Sequence, residues 1–178
     1  MSTEREQPPA PIEFDQVIRL AKETLLRDGY HAPTLIVDGS RWRAVIEFSE
    51  LAPNHEGRAS QMFSVGTLLA RGGKMGRLRH VFFISEGWMS VPHEGKLPDV
   101  LPSQDPNRKE MLVITGYEER TRQTTMALFE MIRDPEGALR ELRDFVPAAG
   151  GETRAESPLL AAFAAGFDMG TGTTIHRN

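Results

Sequence analysis

The chain has 178 residues, of which 39% are hydrophobic and 26% are charged, and this balance excludes the composition of a disordered protein. Lys and Arg number 21 against 25 Asp and Glu, so the formal net charge is −4 and a generally basic nucleic-acid-binding coat is excluded. Cysteine is absent, which excludes disulfides, thiolate metal sites and a cysteine nucleophile.

The first eleven residues form a polar, proline-containing segment without the apolar stretch of a secretory signal. Such a segment buries too little apolar surface to order itself, so residues 1–11 are expected to be a flexible arm. Apolar runs such as Val81 to Ile84 are far shorter than the roughly 20 residues that a membrane helix needs. We therefore expect a soluble, cytoplasmic protein with no membrane partner.

An amphipathic helix and a β-hairpin are predicted to follow the arm. Apolar residues recur at helical spacing from residue 14 to residue 25, and Gly29 stands where this helix should end. Residues 34–37 and 41–48 are rich in β-branched or alternating apolar residues, and Asp38-Gly39-Ser40 between them is typical of a tight turn.

A second helix and three strands come next. The apolar spacing predicts a helix over about residues 59–71, which Gly72 and Gly73 should end. Residues 78–86, 110–117 and 123–133 are apolar on both faces, which is typical of strands covered on both sides of a sheet. Because sequential strands usually pair, we expect these three to form an antiparallel meander.

A short helix over residues 134–145, with Pro135 near its start and Leu139 and Leu142 as anchors, is predicted to complete the domain. The elements together predict one α+β domain over residues 12–146, in the order α-β-β-α-β-β-β-α. Its sheet is expected to be mostly antiparallel and five-stranded, with helices on both faces. Residues 147–178 are predicted to be a linker, a short Ala-rich helix at 158–167 and a polar tail, and the docking of that helix is left open.

This element order resembles the profilin-like, roadblock and longin type of α/β sandwich. The resemblance is one of topology, carried by a hairpin, a crossing helix and three consecutive strands. It implies a small scaffold of a kind often used for interactions.

Motifs that would identify a chemistry are few. The sequence contains none of the common nucleotide-binding, zinc-protease or hydrolase signatures. Two His-Glu-Gly triplets, beginning at His55 and His93, lack a second histidine at helical spacing and are interpreted as loop residues. A basic cluster could contact phosphate, RNA or an acidic partner, but aromatic residues for base stacking do not interleave it, so nucleic-acid binding is not favoured. The cluster consists of Arg71, Lys74, Arg77, Arg79 and His80.

A long link of residues 87–109 separates two of the buried strands, and links of this length are usually functional or disordered. Apolar residues such as Trp88, Met89 and Leu101 can anchor the link, while Ser103 or Asp105 can make side-chain-to-backbone turn bonds. The link and its borders resemble uncharacterised bacterial hypothetical proteins, which implies a family signature but no activity. The pattern is Ser85-Glu86-x-Trp88-Met89 followed by Pro102-Ser103-x-Asp105-Pro106-x-Arg108-x-Glu110.

Glu86 and Glu110 should lie close together at the mouth of this hairpin, with Arg108 nearby, if the two strands are antiparallel neighbours. In one interpretation Arg108 bridges the two carboxylates and fixes the loop. In a second, the carboxylates bind a divalent cation or act as an acid-base pair, together with Asp105 or His93. In a third, Trp88 and Arg108 recognise an anionic or peptide ligand.

The candidate ligand-binding residues are therefore Glu86, Trp88, Ser103, Asp105, Arg108 and Glu110. No catalytic residue, metal ligand or cofactor is assigned. The absence of catalytic motifs and the interaction-type topology favour a non-enzymatic module that binds a protein partner, a second copy of itself or a ligand. The alternative is a small metal-dependent hydrolase that uses the hairpin carboxylates, and an RNA-associated protein is a less favoured hypothesis.

Overall fold

A computed structural model describes residues 9–90, 99–145 and 157–172. These residues form three helices and one six-stranded antiparallel sheet. The helices are α1 (Phe14–Asp28), α2 (His55–Arg71) and α3 (Pro158–Gly170), and a short 3-10 helix spans Pro102–Gln104. The strands are β1 (Thr34–Gly39), β2 (Arg43–Glu47), β3 (Leu78–Met89), β4 (Lys109–Glu118), β5 (Gln123–Arg133) and β6 (Leu139–Asp144).

The sheet has the strand order β2-β1-β3-β4-β5-β6, and every neighbouring pair is antiparallel. Helix α2 carries the chain from the edge strand β2 past β1 to β3, after which the chain forms a meander from β3 to β6. The predicted α+β class, the first hairpin and the meander of β3, β4 and β5 are confirmed, but the hairpin turn spans residues 40–42 because Asp38 and Gly39 belong to β1. The predicted strand number is wrong, because the sheet has six strands and not five.

The sixth strand replaces the helix that was predicted over residues 134–145. Gly137 has a φ of 86° and its N–H donates to the carbonyl of Asp134, so the chain reverses there in a tight turn. The β5–β6 register shifts between Ile132 and Arg133, so that β6 accommodates one extra residue. This bulge lets Leu139 and Leu142 contact the same core although they are three residues apart, a spacing that otherwise indicates a helix.

Alternate residues of the central strands enter two separate cores, one on each face of the sheet. Helices α2 and α3 cover one face and α1 covers the other, which confirms helices on both sides. Every residue of β1 is buried, because this strand is covered from both faces. The first core includes Leu35, Val37, Val81, Phe83, Met62, Leu160 and Phe163; the second includes Ile36, Phe82, Ile84, Val17, Leu25, Leu112 and Ile114.

Local capping explains where two of the helices begin and end. Helix α1 ends at Gly29 as predicted, because Gly29 adopts a φ of 78° and its N–H donates to the carbonyl of Leu25. Helix α2 begins four residues before the predicted position. The side chain of Asn54 accepts a hydrogen bond from the N–H of Gly57 and thereby caps the helix. The triplet at His55 is therefore the first turn of a helix and not a loop.

The Ala-rich helix docks on the domain, which the sequence left open. Gly66 of α2 and Gly166 of α3 allow the two backbones to approach closely. A Cβ added at Gly166 would lie only 2.0 Å from the carbonyl oxygen of Phe63. The helix is three residues longer than predicted and contributes Phe163 and Phe167 to the core beneath α2.

Several predictions fall on parts of the chain outside the described residues. Residues 1–8 of the predicted arm, residues 147–156 of the linker and residues 173–178 of the tail are among them. The last residues before α1 have definite contacts, since the carbonyls of Pro9 and Ala10 accept hydrogen bonds from Arg79 and Arg43. None of the described helices is long and apolar enough to cross a membrane.

Candidate functional site

The mouth of the β3–β4 hairpin brings the predicted carboxylates onto one face of the sheet. Trp88 lies opposite Glu110 and Glu86 lies opposite Leu112 in the β3–β4 register. Because side chains alternate along a strand, Glu86, Trp88 and Glu110 all lie on the face that α1 covers further along the sheet. We name Glu86, Trp88, Arg108, Glu110 and Arg133 the hairpin mouth.

Arg133 at the end of β5 is the cation that holds Glu110. Its Nε donates to Glu110 Oε2 at 2.8 Å and its Nη2 donates to Oε1 at 3.0 Å, which makes a bidentate pair. Its Nη1 donates to the carbonyls of Gly29, at the end of α1, and Gly137, in the β5–β6 turn. The pKa of Arg133 is raised overall. The hydrogen bond to Glu110 is the main cause, burial acts in the opposite direction, and the charges of Glu110 and Glu86 add to the increase.

Glu86 has a different partner. Its Oε1 accepts a hydrogen bond from the backbone N–H of His31, in the segment that connects α1 to β1. The two carboxylates are therefore used to join four neighbouring parts of the fold: the end of α1, β3, β4 and β5. Sequence reasoning found both carboxylates but not Arg133, which lies more than twenty residues further along the chain.

Arg108 does not bridge the carboxylates, so that prediction is wrong. Its guanidinium lies over the ring of Trp88, 4.5 Å from the centroid, and its Nη1 donates to the carbonyl of Asp105 at 3.2 Å. Among the described residues Arg108 forms no ion pair. Trp88 is 47% exposed, so the stacked pair faces solvent.

Asp105 and Ser103 lie in the turn that precedes β4. Asp105 is buried, and its Oδ1 accepts from the N–H of Asn107 at 2.8 Å, as expected for a turn-forming side chain. Ser103 is exposed in the short 3-10 helix. Asp105 thus shapes the loop that carries Arg108, and among the described residues no side-chain hydrogen bond or ion pair joins Ser103 to the hairpin mouth.

The metal-binding interpretation gains no support from the described residues. Within them, no group of three or more His, Asp or Glu side chains converges closely enough to hold a metal ion. His93, one of the predicted additional ligands, lies outside the described residues.

The basic cluster predicted from the sequence lies at the end of the sheet opposite the hairpin mouth, and its residues fall into two sets there. Asp38 at the end of β1 is fully buried. Its Oδ1 accepts hydrogen bonds from Arg43 and Arg79, and the Nδ1 of His80 lies 3.5 Å from its Oδ2. Arg79 is the extra residue where the β1–β3 register shifts, and this bulge directs its side chain toward Asp38. Arg79 and His80 therefore lie against the buried carboxylate of Asp38.

Two of the remaining cations of the basic cluster, Arg71 and Arg77, lie around an open cavity that the sequence did not predict. It has a volume of about 620 Å³ and is lined by Arg71 and Arg77 together with Arg41 from the β1–β2 turn. We name this cavity, with its hydroxyl-bearing residues Ser40 and Thr171, the basic depression. The signal that could have found it is the pair of glycines, Gly73 and Gly76, among unpaired cations between a helix and a strand.

No protein-family model, curated protein or solved structure matches the chain. The resemblances noted in the sequence therefore stay predictions.

Proposed function

We propose that the protein is a non-enzymatic binding module that docks a second protein chain at the hairpin mouth. The observation that carries the proposal is the solvent-facing stack of Arg108 on Trp88. Trp and Arg are the residues most enriched among those that dominate binding energy in protein interfaces. A tryptophan held by a cation presents a large rigid surface that loses little conformational entropy when a partner covers it.

The neighbouring segments add apolar surface at this end of the sheet. Tyr30 is 63% exposed and precedes His31, whose N–H binds Glu86. Leu101 is 65% exposed, and its carbonyl accepts a hydrogen bond from the N–H of Asp105 in the loop that carries Arg108. Exposed aromatic and aliphatic side chains on segments that border one site are typical of surfaces that partners cover.

The fixed scaffold beneath the stack also supports a binding role. Glu110 and Arg133 satisfy each other, and Glu86 accepts from His31, so the charged groups below Trp88 are engaged in the fold. A preorganised surface reduces the entropic cost of association. Catalysis by these carboxylates would instead require them to be available to a substrate or a metal ion.

The test compares two tryptophans of similar exposure at opposite ends of the molecule. Trp88 is 47% exposed and Trp42 is 50% exposed. Sedimentation velocity over a wide concentration range tests whether the protein associates with a second copy of itself. Cross-linking of the tagged protein in cells of its source tests whether it associates with a different protein. We expect the complex to be lost with Trp88→Ala and Arg108→Ala and retained with Trp42→Ala. A monomer that cross-links to no protein, or a complex that survives Trp88→Ala, contradicts the proposal.

A further inference from the structure

The basic depression lies between the β1–β2 turn, the loop that joins α2 to β3, and the end of α3. Its charged lining residues are Arg41, Arg71 and Arg77, and Ser40 and Thr171 add hydroxyl groups. The other described residues that line it are glycine or alanine, and none carries a carboxylate. An anion in this cavity therefore meets three guanidinium groups and no negative charge from the lining residues.

These cations lack ionic partners within the part of the chain that the structure describes. Arg71 and Arg77 have no side-chain hydrogen bond or ion pair there, and Arg41 donates only to the carbonyl of Gly73, at 2.7 Å. By contrast, ten other arginines and lysines of the described residues pair with a carboxylate. Other described cations such as Arg19 and Arg108 also lack an ionic partner, but at the depression three such cations line one cavity.

The backbone that carries the cations is fixed by hydrogen bonds between the turn and the loop. The N–H of Ser40 donates to the carbonyl of Arg77 at 2.8 Å, and the N–H of Arg77 donates to Ser40 Oγ at 2.9 Å. Met75 anchors the loop in the core. Gly76 has a φ of 72°, and a Cβ there would lie 2.4 Å from Ser40 Oγ, so only glycine allows this close contact. The depression is therefore a built feature and not a mobile basic loop.

An all-cationic cavity in a chain of net charge −4 costs free energy unless something neutralises it. Clusters of like charge that the fold does not itself neutralise are typical of binding sites, where ligand binding is gained at the expense of stability. Guanidinium groups present forked N–H donors that match the oxygens of phosphate. Three of them line the depression, whereas the hydroxyls of Ser40 and Thr171 already take part in hydrogen bonds with Arg77 and Asp168.

We propose that the basic depression binds the diphosphate group of a small phosphorylated molecule. Its volume of about 620 Å³ is in the range of small-molecule sites and much larger than a single phosphate requires. None of its described lining residues is aromatic, so these residues offer no stacking surface of the kind that holds single-stranded nucleic acids. The diphosphate and not a base is therefore the recognised group.

The first experiment is calorimetric titration of the full chain with sodium pyrophosphate, repeated with sodium sulfate and with a short oligouridylate at equal ionic strength. We expect saturable binding of pyrophosphate, tighter than that of sulfate. Arg71→Gln and Arg77→Gln should each weaken it at least about tenfold, because each removes a charge-assisted hydrogen-bond donor. Amide shifts in NMR spectra should locate the bound pyrophosphate at Gly73 and Gly76.

Arg19→Gln on α1 is the matched control, because Arg19 is exposed and unpaired among the described residues but lies on the opposite face of the sheet. This variant should bind pyrophosphate as the parent does, and circular dichroism should show that all three variants are folded. Equal affinity for sulfate and pyrophosphate, tighter binding of oligouridylate, no saturable binding, or an equal loss in Arg19→Gln would each overturn the proposal.

Discussion

The hairpin mouth and the basic depression lie at opposite ends of the same sheet, and both contain arginines, but the arginines differ in what they contact. At the hairpin mouth Arg133 meets a carboxylate that the neighbouring strand places within 3.0 Å. At the basic depression Arg71 and Arg77 extend from a helix end and a loop, and none of the described residues that line the depression carries a carboxylate.

The difference shows that strand pairing decides which charges become part of the fold. The β4–β5 register ends with Met111 opposite Glu130, and just beyond it Glu110 of β4 and Arg133 of β5 meet, so their attraction is obtained without much further loss of side-chain freedom. Lys109 and Glu130 pair across the same two strands, at 2.8 Å. The cations that line the basic depression lie outside the strand register, and Arg71 and Arg77 stay exposed, where a ligand can reach them.

The largest predicted effect concerns the buried carboxylate of Asp38, near the basic depression. Asp38→Ala removes the partner of Arg43 and Arg79, both partly buried, and should lower the free energy of unfolding by about 3–5 kcal/mol. Urea denaturation monitored by tryptophan fluorescence measures the change. Asp144→Ala is the control, because Asp144 is exposed and pairs with Lys22 at the surface, which contributes at most about 1 kcal/mol. Similar losses in both variants would show that burial of the pair does not matter.

The second predicted effect is a difference in stability loss between replacing Arg133 and replacing Arg108 at the hairpin mouth. Arg133→Ala leaves Glu110 without its cation and two carbonyls without a donor, and should cost about 2–3 kcal/mol. Arg108→Ala removes only an exposed cation–π contact, worth about 0.5–1 kcal/mol. Adding Glu110→Gln to Arg133→Ala should restore part of the loss, because the unpaired charge is then gone. Equal costs for the two arginines would mean that the geometry assigns the wrong one.

Much of the fold could be predicted because its elements follow simple periodicities. The bounds of β5 and the end of α1 at Gly29 agree with the sequence prediction, since both depend on local patterns. The prediction of a helix over residues 134–145 is wrong because Leu139 and Leu142 have helical spacing. The bulge that lets a strand accommodate this spacing forms only when β6 pairs with β5.

The site could be predicted only in part, for the same reason. Adjacent strands made the proximity of Glu86 and Glu110 predictable, whereas the choice of Arg133 over Arg108 depends on the β4–β5 register and on the turn at Gly137. The bulge that turns Arg79 toward Asp38 likewise cannot be read from a run of basic residues. Closeness in sequence favours Arg108 as the partner of Glu110, whereas the sheet brings the more distant Arg133 to it.

The smallest predicted effect tests whether the cations of the basic depression contribute to the fold at all. The double variant Arg71→Gln with Arg77→Gln removes two exposed guanidiniums that have no partner among the described residues, so stability should change by no more than about 0.5 kcal/mol. Two opposing effects are involved. The variant relieves repulsion within the depression, but it also makes the acidic chain more negative.

Distance decides between them. At about 0.1 M salt, charges more than roughly 10 Å apart are largely screened, so repulsion among the neighbouring guanidiniums outweighs the change in net charge. Rising NaCl should therefore raise the melting temperature of the parent more than that of the double variant, because salt screens a repulsion that the variant lacks. A loss above about 1 kcal/mol in the variant would place Arg71 and Arg77 with Arg133 among the residues that hold the fold, and the contrast between the two ends of the sheet would fail.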